Sequence, residues 1–231
     1  TNRLVSDDGE TFAFSLKDGE GGVYHRSGQQ TEAISVSQAS GGPVGVQPGQ
    51  IDGMSRDGRF VVFHSSVQLT DAATDSGLKM YRYDASSGQL EYLGPQDGVG
   101  DGGPDVLGID DAGETVYFNS ENQTVVWREG QLDTVFPSRI SGNQGADASS
   151  DGRYFLFDPG DGAVHLYDAV SGEETCISCL SSGPSSSTLP PSDRNLSNRV
   201  AQAVTDDGHA FFMSTTPLVS ADRNGTSDVY E

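Results

Sequence analysis

The sequence predicts an all-β chain of repeated four-stranded antiparallel blades. Three observations predict it: a tight-turn signal that recurs five times, apolar residues at alternate positions after each turn, and no helical period anywhere in 231 residues. The turn signal reads Ser6-Asp7-Asp8-Gly9, Ser55-Arg56-Asp57-Gly58, Asp110-Asp111-Ala112-Gly113, Ser149-Ser150-Asp151-Gly152 and Thr205-Asp206-Asp207-Gly208. An oxygen on its first residue can accept a backbone N–H across the turn, and glycine at the fourth position tolerates a positive φ.

Each blade is then justified strand by strand. Arg3-Leu4-Val5 reads as the first strand of blade one, ahead of its turn. Three and five residues after the turn glycines stand Phe12/Phe14, Val61/Phe63, Val116/Phe118, Phe155/Phe157 and Phe211/Met213, a period-two face. Between them Ala13, Val62, Tyr117, Leu156 and Phe212 make the opposite face apolar too, as in a sheet covered on both sides. A third strand is marked by Val23-Tyr24, Met80-Tyr81, Val126-Trp127, Leu166-Tyr167 and Val229-Tyr230, and in four blades a polar turn and a fourth strand follow. Four strands per repeat of this length read as a β-propeller, with a β-sandwich as the alternative. The expected domain is single, over 1–231, with blades beginning near residues 4, 52, 107, 147 and 202.

Composition excludes several functions. A net charge of −21, from 13 basic and 34 acidic residues, leaves no cationic surface for a phosphate backbone, so nucleic acid is not a partner. The acidity is mostly aspartate beside glycine, where the side chain bonds its own backbone in turns. No apolar stretch is long enough for a membrane span. The chain begins at Thr1 with no signal-like apolar region, which fits a processed protein or an excised fragment.

The segment from Thr205 to Ser214, followed by Leu218 to Tyr230, resembles the repeat of TolB-like β-propellers: a Ser-x-Asp-Gly turn, an apolar strand ending in Phe-x-Ser, then Asp, a hydrophobic residue and Tyr. The resemblance covers the chain in five copies. It implies six or more blades, and bacterial, periplasmic or extracellular binding scaffolds or accessory domains of hydrolases. The sequence departs from that pattern at Tyr230-Glu231, where the fifth blade stops before its outer strand. Either these residues are a slice of a larger propeller, or the strand comes from elsewhere, which makes self-association through the open blade an expectation.

Candidate sites are few. The long insertions, Ser37 to Ile51, Gln68 to Lys79, Pro95 to Leu107, Pro137 to Ala148, Leu180 to Arg199 and Pro217 to Asp228, all fall at the end opposite the tight turns, so that end is the candidate face for a protein or glycan. Asp222, Asn224 and Asp228 place oxygens at alternate positions, loosely like a calcium loop but without the glycine placement of an EF-hand; the alternative is a turn that presents Asp228 ahead of its strand, and no other cofactor is expected. The acidic loop Asp97 to Asp105 is a weaker cation candidate. Cys176 and Cys179 lack the second cysteine pair of a structural zinc site. On an extended strand they would stand about 10 Å apart, beyond disulfide reach. A bridge therefore requires a turn at Ile177-Ser178, and a local disulfide in an oxidising compartment is the expectation, with free thiols as the alternative. His25, His64, His165 and His209 fall at unrelated blade positions. No hydrolase motif is present, and catalytic residues are not expected.

These readings converge on a non-catalytic, secreted, cell-surface or periplasmic scaffold that binds protein or glycan, or on a subunit completed by a neighbour's strand. The alternative class is the accessory propeller of a hydrolase or oligopeptidase, or a propeller lyase with a channel metal.

Overall fold

The computed structural model describes residues 3–16, 21–97, 106–140, 145–180, 183, 185–189 and 203–231. Eighteen strands form five antiparallel sheets, and no helix occurs among the described residues. Blade one holds β1 (Thr11–Ser15), β2 (Val23–Ser27) and β3 (Gln30–Ala33), with Val5 bridging to Phe12 at its inner edge. Blade two holds β4 (Gln50–Met54), β5 (Phe60–Ser65), β6 (Leu78–Asp84) and β7 (Gln89–Gln96). Blade three holds β8 (Val106–Ile109), β9 (Thr115–Ser120), β10 (Gln123–Arg128) and β11 (Gln131–Phe136). Blade four holds β12 (Ala146–Ala148), β13 (Tyr154–Phe157), β14 (His165–Asp168) and β15 (Glu173–Cys176). Blade five holds β16 (Ser187–Thr188), β17 (Phe212–Ser214) and β18 (Asp228–Tyr230). Its inner position is shared: Ser187 and Thr188 pair with Ser214 and Met213, while Val204 bridges to Ala210 nearer the turn.

The turns close as their chemistry dictates. In blade two the backbone N–H of Phe60 donates to Ser55 Oγ (2.9 Å), Ser55 Oγ donates to Asp57 (2.7 Å), and the N–H of Arg59 donates to the same carboxylate (2.9 Å). Blade four repeats the set with Ser149, Asp151, Arg153 and Tyr154, and in blade three Asp110 alone accepts from Glu114 and Thr115. The fourth-position glycines have φ between 72° and 85°.

Blade five differs from its sequence reading. The N–H of Ser55 bonds Phe60, five residues on, whereas the N–H of Thr205 bonds His209, four residues on. A one-residue change exchanges the faces of everything that follows. Ala210 and Phe212 therefore point at blade four, and Phe211 and Met213, which the repeat aligns with Phe12 and Phe14, point away from it.

Packing runs between blades. Ala13, Val23 and Ile34 meet Met54, Val61, Phe63 and Tyr81; Val62 and Met80 meet Val116, Phe118 and Trp127; Tyr117 and Val126 meet Phe155 and Phe157; Leu156 and Val164 meet Val204, Ala210 and Phe212. Tyr117 stacks flat on Phe155, with ring centroids 4.3 Å apart. Backbone bonds join successive turns as well: Asp7 N–H to Arg56 C=O (3.0 Å), Arg56 to Asp111 (2.8 Å) and Asp111 to Ser150 (2.8 Å). Five blades share four such interfaces, so the described residues form an arc with two uncovered ends.

Each end is apolar. On blade one the face turned away from blade two carries Phe12, Phe14 and Tyr24, all half-buried, with Phe14 stacked on Tyr24 at 5.4 Å. On blade five the matching outer face carries Phe211, Met213 and Val229, the last 71% exposed.

Candidate functional site

The long connections leave the strands at the end opposite the tight turns, but the two best described are not free loops. In blade two, residues 66–77 fold back so that Leu69 and Ala73 are fully buried in the packing between blades one and two. The Leu69 N–H donates to Tyr81 Oη (3.1 Å), and Tyr81 Oη donates to Val67 C=O (2.8 Å). Burial pushes the Tyr81 phenol up to about 12. Ser40 ties the neighbouring connection to this loop through Asp71, at 2.7 and 2.8 Å. Blade five repeats the arrangement: Leu218 packs beside Phe212, and its N–H donates to Tyr230 Oη (3.3 Å). The leucine four positions past each strand, Leu69 after Ser65 and Leu218 after Ser214, explains the fold-back, because it can leave water only by turning under its own blade. Most of the Asp97 to Asp105 loop and of Leu180 to Arg199 lies outside the described residues.

The structure brings Asp222, Asn224 and Asp228 together. Asn224 Nδ2 donates to Asp228 Oδ1 (3.0 Å), the Thr226 N–H donates to Asn224 Oδ1 (2.8 Å), and Tyr230 Oη donates to Asp222. Asp222 Oδ1 and Asp228 Oδ2 are buried and have no hydrogen-bond partner among the described residues. The matched loop of blade two shows what such a position requires. Ser65 pairs with Lys79 as Ser214 pairs with Asp228, and the Lys79 ammonium, 4% exposed as a residue, donates to the carbonyls of Ser66 (3.3 Å) and Gly77 (2.9 Å). Blade two thus carries its own cation where blade five presents carboxylate, and blade two has Ala73 where blade five has Asp222.

Cys176 and Cys179 are joined, with Cα atoms 5.6 Å apart. The bend falls at Ile177 and Ser178, held by Ile177 N–H to Val164 C=O (3.0 Å) and Val164 N–H to Ser178 Oγ (2.8 Å). What the sequence reading missed is His165, which pairs with Cys176 across β14 and β15. His165, Cys176 and Cys179 offer ligand atoms that all lie within 4.8 Å of one another. The signal was available in the hairpin: counting back from the Asp168-to-Glu173 turn pairs 165 with 176.

The other histidines serve structure. His25 reaches Gly58 C=O (3.1 Å) across the first blade interface, as Arg82 reaches Gly113 C=O (2.8 Å) and Tyr117 reaches Gly152 C=O (2.7 Å) across the next two. His64 lies 3.0 Å from Asp52 in the buried part of blade two, and exposed His209 pairs with Glu231 at 2.6 Å. At the tight-turn end, Arg59 grips Asp84 and Arg153 grips Asp168 through two bonds each, and these guanidinium bonds hold both carboxyls below the usual carboxylate range. Nothing in this set joins a nucleophile to a base.

The blade geometry recurs in solved structures. The chain matches the tricorn protease over 93% of its own residues and 19% of that chain, at 16% identity and a TM-score of 0.54. It matches dipeptidyl peptidase 4 of Porphyromonas gingivalis over 82% of its residues and 34% of that chain, at 11% identity and a TM-score of 0.51. The chain is a β-propeller. A further similarity, to TolB of Acinetobacter baumannii, covers 78% of the propeller and 44% of that chain, at 16% identity and a TM-score of 0.42. The propeller spans less than half the length of each of these three chains. No protein-family model matches the sequence, and no curated protein matches it.

Proposed function

We propose that this chain is a non-catalytic propeller scaffold in an extracellular or periplasmic assembly, that its two open blade faces dock on a second copy, and that its long-loop end binds protein or glycan. The reading includes calcium in the loop from Asp222 to Asp228. The observation that carries the scaffold reading is the outer face of blade one. Phe12, Phe14 and Tyr24 stand where Val61, Phe63 and Tyr81 stand in blade two, yet only the latter are buried by a neighbouring blade. Leaving such a face in water forgoes about 25 cal/mol per Å². The Cys176–Cys179 disulfide supports an oxidising compartment, and among the described residues no helix is long and apolar enough to cross a membrane.

Light scattering on the 231-residue chain over a wide concentration range tests the assembly. The expected result is association that grows with concentration and that Phe12→Ser with Phe14→Ser abolishes. A monomer of 24.3 kDa at every concentration would overturn docking between copies. It would favour the second reading, an accessory propeller beside a peptidase, which the similarity to two peptidase chains supports.

A further inference from the structure

Blade four holds a ligand set that its disulfide masks. His165 is 7% exposed and wedged between Phe136 and Phe157, with ring centroids 5.8 and 5.6 Å away, so its imidazole is held in one orientation. Both ring nitrogens face carboxylates: Nδ1 lies 2.5 Å from Glu174 and Nε2 lies 3.2 Å from Asp161. Cys176 sits opposite His165 on the neighbouring strand, and Cys179 follows on the bend fixed by Ser178. Cys179 is exposed, so a reductant and then an ion can reach the pair.

We infer that reduction of the Cys176–Cys179 disulfide converts this corner of blade four into a site for zinc, held by the two thiolates, one ring nitrogen of His165 and a neighbouring carboxylate. Two cysteines three residues apart on a bend form the chelating half of many zinc sites. Tetrahedral zinc with bonds of about 2.0–2.3 Å sets its ligand atoms roughly 3.5–3.8 Å apart. Separations within 4.8 Å need only small adjustments to reach that. Two carboxylates beside one imidazole complete the set. Whichever nitrogen binds the metal, the other keeps a carboxylate that orients the ring, and the displaced carboxylate is left beside the ion as its fourth donor.

The chemistry balances with a dithiol as reductant. It supplies two electrons and two protons, the bond between Cys176 and Cys179 breaks, and the dithiol closes to its own disulfide. Zinc then displaces the two thiol protons to solvent, together with any proton on the coordinating nitrogen, and its oxidation state does not change. The site is therefore coupled to redox state: the oxidised chain offers two bridged sulfurs with no thiolate, and the reduced chain offers a complete set.

The test is zinc content, by elemental analysis, of the chain reduced with a dithiol, freed of it without air and equilibrated with zinc, beside the oxidised chain treated alike. One zinc per chain is expected after reduction and less than a tenth of that before it. Cobalt in place of zinc should show thiolate-to-metal charge transfer and the intense visible bands of a tetrahedral site. His165→Asn should weaken zinc binding at least tenfold. Because His165 is buried, Cys179→Ser at an exposed position is measured in parallel, and it too should lose the zinc while circular dichroism stays unchanged. No zinc on the reduced chain, a cobalt spectrum without thiolate bands, or undiminished binding in folded His165→Asn or Cys179→Ser would overturn the site.

Discussion

Lys79 and Asp228 hold matched places in two blades and carry opposite charges. The ammonium of blade two is bonded to two carbonyls, whereas one oxygen each of Asp222 and Asp228 in blade five is buried without a partner among the described residues. Such oxygens cost roughly 1–3 kcal/mol apiece unless something satisfies them, and a hard cation is the ligand that suits them. Calcium should raise the thermal midpoint of the chain, and Asp222→Asn with Asp228→Asn should remove that response. A midpoint that ignores calcium up to several millimolar would sink the assignment. At this scale the sequence was a good guide wherever a residue bonds its own neighbourhood. Ser55 and Asp57 act within five residues of themselves, so the pattern alone discloses the bond. His25, Arg82 and Tyr117 do one job, capping a glycine carbonyl in the next blade, with three unrelated side chains from two strand positions: His25 and Arg82 each follow the third-strand tyrosine, and Tyr117 lies on the second strand. The shared place of His25 and Arg82 was visible in the repeat, but their different side chains hid the shared role, and Tyr117 shares neither place nor residue type.

Among the elements, the turn glycines report which turns are covered by another blade of the described residues. A Cβ on Gly113 would lie 2.7 Å from the Cβ of Phe60, and one on Gly152 would lie 2.6 Å from the Cβ of Thr115, while Gly9 has nothing within 4 Å. All three have positive φ, which alone costs a side chain about 1–2 kcal/mol. Gly9→Ala should therefore lose only that amount in urea unfolding. Gly113→Ala and Gly152→Ala should lose roughly 1–3 kcal/mol more through overpacking. Equal losses at all three would mean that something covers blade one. Strand existence was legible because both faces of each blade are apolar, and the same property hid the slip in blade five. With Phe211, Phe212 and Met213 in a row, either register buries something apolar, and only the earlier closure at Thr205 and His209 decides between them. The fold-back of residues 66–77 was not legible either, since Leu69 and Ala73 stand in a polar stretch that reads as a surface loop.

The described residues form a linear stack in which the packing clusters join each blade to the next, and Arg3 of blade one also reaches Asp111 of blade three (3.6 Å). Protection should follow position in that stack. β5 and β9, in which every residue is buried, are expected to exchange their amides most slowly, and β3 and β18 most quickly. Uniform protection from blade one to blade five would argue for a closed ring. The count of five blades was readable from the turn signal, whereas the two open ends became visible only when the packing clusters were placed between particular blades. The joints that run from Asp7 to Arg56, to Asp111 and to Ser150 share a main-chain bond, and the first two add the Arg56 guanidinium, bonded to Asp7 on one side and to Asp111 on the other. The main-chain part of such a joint carries no address; the arginine and its two carboxylates do. A blade moved in the gene would meet a familiar main-chain seam in its new place, but Arg56 would have to find a carboxylate on each side again, and the N–H of Asp151 an acceptor like the Asp206 side chain.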